Sequence, residues 1–140
     1  MKRRQLMAGA LALTVLPAAR ASDADMQAAI QAFTRGQAPA KPAPGALRIE
    51  IAALVENGNA VPVMLASSTP VVALALFTPG NPEPEVLHAR FSPDCPRHEF
   101  STRIRLARSQ QIVAVAQAAD GRCWQTAVDV IVTLAACVEP

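Results

Sequence analysis

The sequence predicts an all-β protein: an antiparallel β-sandwich preceded by one short N-terminal helix. From Leu47 onward apolar residues recur with a period of two rather than 3.6. Turn signals rich in Gly, Pro, Asn and Asp interrupt that pattern about every ten residues. No helical periodicity falls between the strand segments, which excludes alternating strand–helix units. Aromatic residues make up only 4% of the chain against 51% hydrophobic residues, so Val, Ile, Leu and Ala must fill the core.

Residues 1–21, MKRRQLMAGALALTVLPAARA, have the layout of a secretion signal. Lys2-Arg3-Arg4 leads an apolar stretch from Leu6 to Ala18, and Ala19-Arg20-Ala21 matches an A-x-A cleavage site. The stretch is too short to cross a bilayer, so a periplasmic product with no membrane span is expected. The paired arginines point to the twin-arginine route, which carries proteins already folded. Removing the signal takes Lys2, Arg3, Arg4 and Arg20 from 13 basic residues and leaves 9 against 11 acidic ones, a net charge of −2 instead of +2. A nucleic-acid partner thereby loses its main support. About 119 residues remain, enough for one domain.

Residues 22–36 read as a helix. Met26, Ala29, Ile30 and Phe33 stand at i, i+3, i+4 and i+7, Ser22 with Asp25 resembles a capping box, and Gly36 stops the run. So short a helix is marginal alone, and its stripe should dock on the main domain or on a partner. Residues 37–46 hold Pro39, Pro42 and Pro44 and read as an extended linker.

The sandwich is expected over residues 47–134. Arg48-Ile49-Glu50-Ile51 alternates, Glu56-Asn57-Gly58-Asn59 is a turn signal, and Val61 to Leu65 forms a second strand in which Pro62 demands an edge or strand-end position. Val71 to Phe77 is a continuous apolar run, suited to burial on both faces, and ends at Pro79-Gly80-Asn81-Pro82. Glu85 to Phe91, Glu99 to Ala107, Gln111 to Ala118 and Trp124 to Leu134 complete about seven strands, with an Asp120-Gly121 turn before the last. Residues 135–140 form a terminal arm.

Cys95, Cys123 and Cys137 cannot all pair within one chain, so in an oxidising compartment at least one is free, modified or intermolecular. If the last four segments form an up-and-down meander, Cys95 and Cys123 share one end of the sandwich. A disulfide between them and two separate thiols, one beside Trp124, both fit that arrangement. The last strand then carries Cys137 about 35 Å to the opposite end, at roughly 3.3 Å per residue.

Other constellations favour plain readings. His98 stands at C-x2-H spacing from Cys95, but no second Cys/His pair completes a zinc site, and no metal or other cofactor is expected. A blue-copper site lacks the His and Met that its Cys would need nearby. His88 alternates with Val86 and Arg90 and reads as an exposed strand residue, while Arg103, Arg105 and Arg108 form a solvated or partner-facing stripe. No Ser, His and acid set and no phosphate-cradling Gly loop stands out, so an enzyme with its own active site is not expected.

Several stretches together resemble the SoxY family of thiosulfate-oxidation sulfur carriers. They are the leading arginines, Val55-Glu56-Asn57-Gly58-Asn59-Ala60-Val61-Pro62, Asn81-Pro82-Glu83-Pro84, Ser101-Thr102-Arg103-Ile104-Arg105-Leu106-Ala107, Val113-Ala114-Val115-Ala116 leading to Asp120-Gly121, and the late cysteine. The resemblance implies an immunoglobulin-like sandwich paired with a second, SoxZ-like sandwich subunit. It further implies that Cys137 carries sulfur intermediates covalently while separate periplasmic sulfur-oxidising enzymes transform them. Where the family's arm is usually Gly-Gly-Cys-Gly-Gly, this chain has Ala135, Ala136, Cys137, Val138 and Glu139, a stiffer arm with a negative charge two residues from the sulfur. Cys95 and Cys123 stand outside the usual family pattern. Extended residues beyond the last strand would hold the Cys137 sulfur about 10 Å clear of the sandwich. The rival reading is a non-catalytic β-sandwich binding module that uses Cys137 for an intermolecular disulfide.

Overall fold

Alternation of apolar side chains across a strand leaves one face, or both, to be covered, and the chain answers with two stacked sheets and one helix. The computed structural model describes residues 23–137. The expected export signal, the Ser22 cap and the arm residues Val138 and Glu139 lie outside the described residues.

The elements are α1 (Asp23–Thr34), β1 (Leu47–Glu50), β2 (Leu54–Val55), β3 (Val61–Ser67), β4 (Ala73–Phe77), β5 (Glu85–Arg90), β6 (His98–Ile104), β7 (Gln110–Gln117) and β8 (Cys123–Val132). One sheet runs β1-β3-β6 and the other β2-β8-β7-β4-β5. All named pairings are antiparallel except β2 with β8, where Leu54 and Val55 lie parallel to Ile131 and Val132. The chain is thus a β-sandwich carrying one short helix.

Between the sheets lies an aliphatic core in which Leu65, Leu74, Leu76, Leu106 and Ile112 are completely buried. All five residues of β4 are buried, because the strand is sandwiched twice. Leu74 and Leu76 face the other sheet, while Ala73, Ala75 and Phe77 face α1. The helix lays Met26, Ile30 and Phe33 on that outer surface, against Val113, Val115 and Cys123 as well. Small side chains at 73 and 75 leave room for a helix to approach, and the docked stripe gives so short a helix the tertiary support it needs. Asp23 and Asp25 sit in its first turn, where negative charge favours the helix start. Arg35 and Gly36 take positive φ, and the Gly36 N–H returns to the Gln31 carbonyl at 3.0 Å to close the helix end.

Pro62 obeys its constraint although β3 is the central strand of its sheet. The β1 pairing ends at Glu50↔Met64, so only β6 flanks Pro62, near the strand's start. The linker is fastened: Ala40 receives the Gln125 N–H at 3.0 Å and donates its own to the Cys123 carbonyl at 2.9 Å.

The expected meander of the last four segments is not formed. β6 leaves β5 and pairs with β3 in the other sheet along its whole length, from Val61↔Ile104 to Ser67↔His98. The reason is its composition: along β6 only Ile104 is buried, which suits an edge and not the centre of a doubly covered sheet. β7, with Ile112 to Ala116 all buried, takes the central place beside β4.

Candidate functional site

The last strand hands the chain to a small platform of turns, and Cys137 stands on it. Thr133 donates its N–H to the Val55 carbonyl at 3.0 Å, and its hydroxyl reaches the Glu56 carbonyl at 3.1 Å. Leu134 then accepts the Gly58 N–H at 2.7 Å. Ala136 is buried and donates its N–H to the Leu106 carbonyl at 3.0 Å. Cys137 donates its own N–H to Asn59 Oδ1 at 3.0 Å, with the residue itself exposed.

The arm therefore does not project as the sequence suggests. Ala135 is exposed, but Ala136 and the Cys137 backbone fold back onto the turn from Glu56 to Asn59 instead of carrying the sulfur clear of the sandwich. The cause is an unpaired set of backbone groups at the sheet's end, which the returning chain satisfies. Among the described residues Arg35 is the one non-glycine residue with positive φ, so Ala135, Ala136 and Cys137 take this path without left-handed backbone.

Asn59 is itself held by Asn57, whose Oδ1 accepts both the Asn59 N–H and its Nδ2 at 3.0 Å. Between them Gly58 is buried, and its carbonyl accepts the Leu106 N–H at 2.8 Å. A second amide supports the same end. Asn81, buried, donates from Nδ2 to the Arg105 carbonyl at 2.8 Å and accepts at Oδ1 from the Ala107 N–H at 3.0 Å and Gln110 Nε2 at 3.1 Å. The stretches around Asn57-Gly58-Asn59, Asn81 and Leu106, scattered in sequence, thus converge beneath Cys137. In the sequence Glu56-Asn57-Gly58-Asn59 reads as a turn and Pro79-Gly80-Asn81-Pro82 as the end of an apolar run, and neither shows that its carboxamide supports the arm, since a carboxamide's distant partner leaves no local pattern.

The other two thiols lie elsewhere, and the Cys95–Cys123 disulfide is not made: all three cysteines are free. Cys123, opening β8, is buried with the helix residues on the outer face of its sheet, and burial pushes its thiol pKa up. Cys95 lies in the loop after β5 and turns its thiol onto the Arg97 carbonyl at 2.9 Å. Cys137, five residues beyond the end of β8, lies past the far end of that strand from Cys123.

His98 stacks edge-on to Phe91 at 5.5 Å, and His88 lies against Phe33 at 5.1 Å while its Nδ1 meets Glu85 Oε1 at 3.0 Å. Among the described residues no group of three or more His, Cys, Asp and Glu side chains is placed to hold a metal ion. Arg103, Arg105 and Arg108 are exposed. A groove of about 830 Å³ between Lys41–Gly45 and Gln125–Ala127 contains none of the three cysteines. No described helix is long and apolar enough to cross a membrane.

The chemistry on offer at this end is that of an exposed thiol on a hydrogen-bonded base, while Cys95 is half-exposed elsewhere and Cys123 is buried. Comparison with known proteins narrows it. The family model described as sulfur oxidation protein SoxY matches residues 30–137. The structure of the sulfur carrier protein SoxY from Chlorobium limicola f thiosulfatophilum is similar, with 32% sequence identity, a TM-score of 0.69, and coverage of 81% of this chain and 100% of that one. Superoxide reductase (neelaredoxin) from Ignicoccus hospitalis and a variant of that enzyme each give a TM-score of 0.49 at 16% identity, covering 61% of this chain and 79% and 78% of theirs; likeness at that level carries no argument about function. No curated protein matches the chain.

Proposed function

Because the chain belongs to the sulfur oxidation protein SoxY family, we propose that it is a periplasmic covalent sulfur carrier whose Cys137 thiol holds the cargo. The observation that carries this reading is the exposed Cys137, free of any disulfide, at the end of a platform built from the stretches the sequence shares with the family. A thiol is a nucleophile as its thiolate, and one that is accessible and unpaired suits reversible attachment.

With thiosulfate as donor, the attachment joins two sulfurs: Cys–S⁻ + S₂O₃²⁻ → Cys–S–S–SO₃⁻ + 2 e⁻. The two electrons pass to an acceptor held by a partner enzyme. In this reading the chain presents the adduct and partner enzymes perform each chemical step. A cargo attached to the chain meets successive partners at high effective concentration without diffusing away. A SoxZ-like second sandwich subunit as companion, and delivery by the twin-arginine route read in residues 1–21, belong to the same proposal.

The test is intact-mass analysis of protein from its native periplasm, before any reduction. Wild type should carry mass additions of sulfur or thiosulfonate, and Cys137→Ser should carry none. Unmodified wild type after exposure to thiosulfate together with the partner enzymes rejects the reading. The rival, a binding module linked through an intermolecular Cys137 disulfide, draws on the same exposure and gives instead a reducible dimer on non-reducing electrophoresis.

A further inference from the structure

We propose that Asn59 is the positioning residue for the Cys137 sulfur: its side-chain oxygen latches the Cys137 backbone, so the thiol is held at a fixed point on the platform and is released only when the latch opens. The proposal rests on the carrier reading of Cys137 and adds where the sulfur waits and what governs its release.

Three observations carry it. The first is the bond from Cys137 N–H to Asn59 Oδ1 at 3.0 Å, the only hydrogen bond to Cys137 in the structure among the described residues. The second is the rigidity of its acceptor. Asn57 Oδ1 binds both the Asn59 N–H and its Nδ2, so the carboxamide is oriented with its oxygen toward the arm. The third is Ala136, immediately before the cysteine. Its methyl is buried and its N–H is bonded to the Leu106 carbonyl, so the seat extends one residue back along the chain.

The strength of such a device suits its task. The Cys137–Asn59 bond lies at the surface, where water competes and one hydrogen bond shifts an equilibrium roughly two- to tenfold. That is enough to make the seated thiol the prevalent form and too little to prevent a partner from drawing it out. A carrier with no such latch would offer its sulfur from an unrestricted range of positions.

The experiment compares full-length wild type, Asn59→Ala, Asn59→Asp and Ala136→Gly by amide hydrogen exchange at Cys137 and by the rate of Cys137 alkylation with iodoacetamide at one pH. In wild type the Cys137 amide should be protected. Asn59→Ala should speed its exchange roughly two- to tenfold and speed alkylation, with the β7 amides unchanged. Asn59→Asp retains an acceptor oxygen but loses the Nδ2 donor that orients it on Asn57, so its Cys137 amide should exchange at a rate between those of wild type and Asn59→Ala. Ala136→Gly should speed alkylation through the lost methyl contact, with Asn59 intact. An unprotected Cys137 amide in wild type, or one that Asn59→Ala leaves unaltered, overturns the proposal. Amide exchange needs no cargo, so a protected amide that Asn59→Ala exposes, on a wild type that never acquires sulfur adducts, upholds the latch and rejects the carrier reading.

Discussion

Leu106 donates its backbone N–H to the Gly58 carbonyl at 2.8 Å, and the same Leu106 accepts the Ala136 N–H through its own carbonyl at 3.0 Å. One residue of the β6–β7 connection thereby ties the Asn57-Gly58-Asn59 turn to the residue before Cys137. The approach is so close that a Cβ on Gly58 would collide with the Leu106 carbonyl oxygen, and it would stand 3.0 Å from the Ala136 nitrogen. Gly58 is thus required by space, whatever its backbone angles.

Gly58→Ala should therefore lower stability by about 1–3 kcal/mol, since the obstructing atoms are backbone and cannot rotate away. Urea denaturation reads the loss. The same substitution should make the Cys137 amide exchange faster, because the pieces it forces apart are those that seat the arm. A variant as stable as wild type, with an unchanged Cys137 amide, would show that the packing at Gly58 is looser than these distances indicate.

Asn81 makes the second prediction. Its removal orphans the Arg105 carbonyl and the Ala107 N–H together, with Gln110 Nε2 left one partner short. Asn81→Ala should cost about 2 kcal/mol or more in urea denaturation, the cost of leaving part-buried backbone groups unmatched. Asn81→Asp should not rescue it, because a carboxylate can accept from Ala107 but cannot donate to the Arg105 carbonyl. Full stability of Asn81→Asp would refute this assignment of the carboxamide's two ends.

How much of this was legible in the sequence depends on the kind of force involved. Burial writes a pattern: the apolar run through β4 and the helical stripe Met26-Ala29-Ile30-Phe33 follow from side-chain periodicity, and the strand-end place of Pro62 follows from its missing N–H. Periodicity gives a strand's face but not its sheet, so the crossing of β6 to β3 was hidden, and the two residues of β2 are too few to show any period. The seat of the arm was hidden for another reason. It is built from backbone hydrogen bonds, which any residue but proline can donate, and from single carboxamides whose partners lie as far as 78 residues away in sequence. Ala135-Ala136-Cys137 has no pattern of its own and reads as a projecting tail.

Ile30 is almost wholly buried between the helix and β4 and β7. Ile30→Ala should destabilise by about 2–4 kcal/mol, through lost burial and the cavity left behind. Because Cys123 belongs to the same cluster, loosening the helix should also expose that thiol, and its alkylation in native protein should quicken while Cys137 is unaffected. Destabilisation without faster Cys123 alkylation would mean that the helix covers the thiol less than its burial indicates.

Cys123 also sets a pH dependence. Burial raises its pKa, so the folded chain holds the thiol proton at a pH where the unfolded chain has lost it. An unfolded cysteine ionises near pH 8.5. Above that value the unfolded state binds fewer protons than the folded one, and stability falls with rising pH. The contribution is complete below the unfolded pKa and is lost as the pH climbs through the folded one. Urea midpoints at pH 7 and at about pH 9.5 should therefore differ more for wild type than for Cys123→Ala, although the variant is the less stable at pH 7 for loss of packing. Cys95 and Cys137 are common to both proteins and cancel in the comparison. Equal alkaline losses in the two would show that the Cys123 thiol ionises as freely in the fold as in the open chain, and that the helix does not shield it from water.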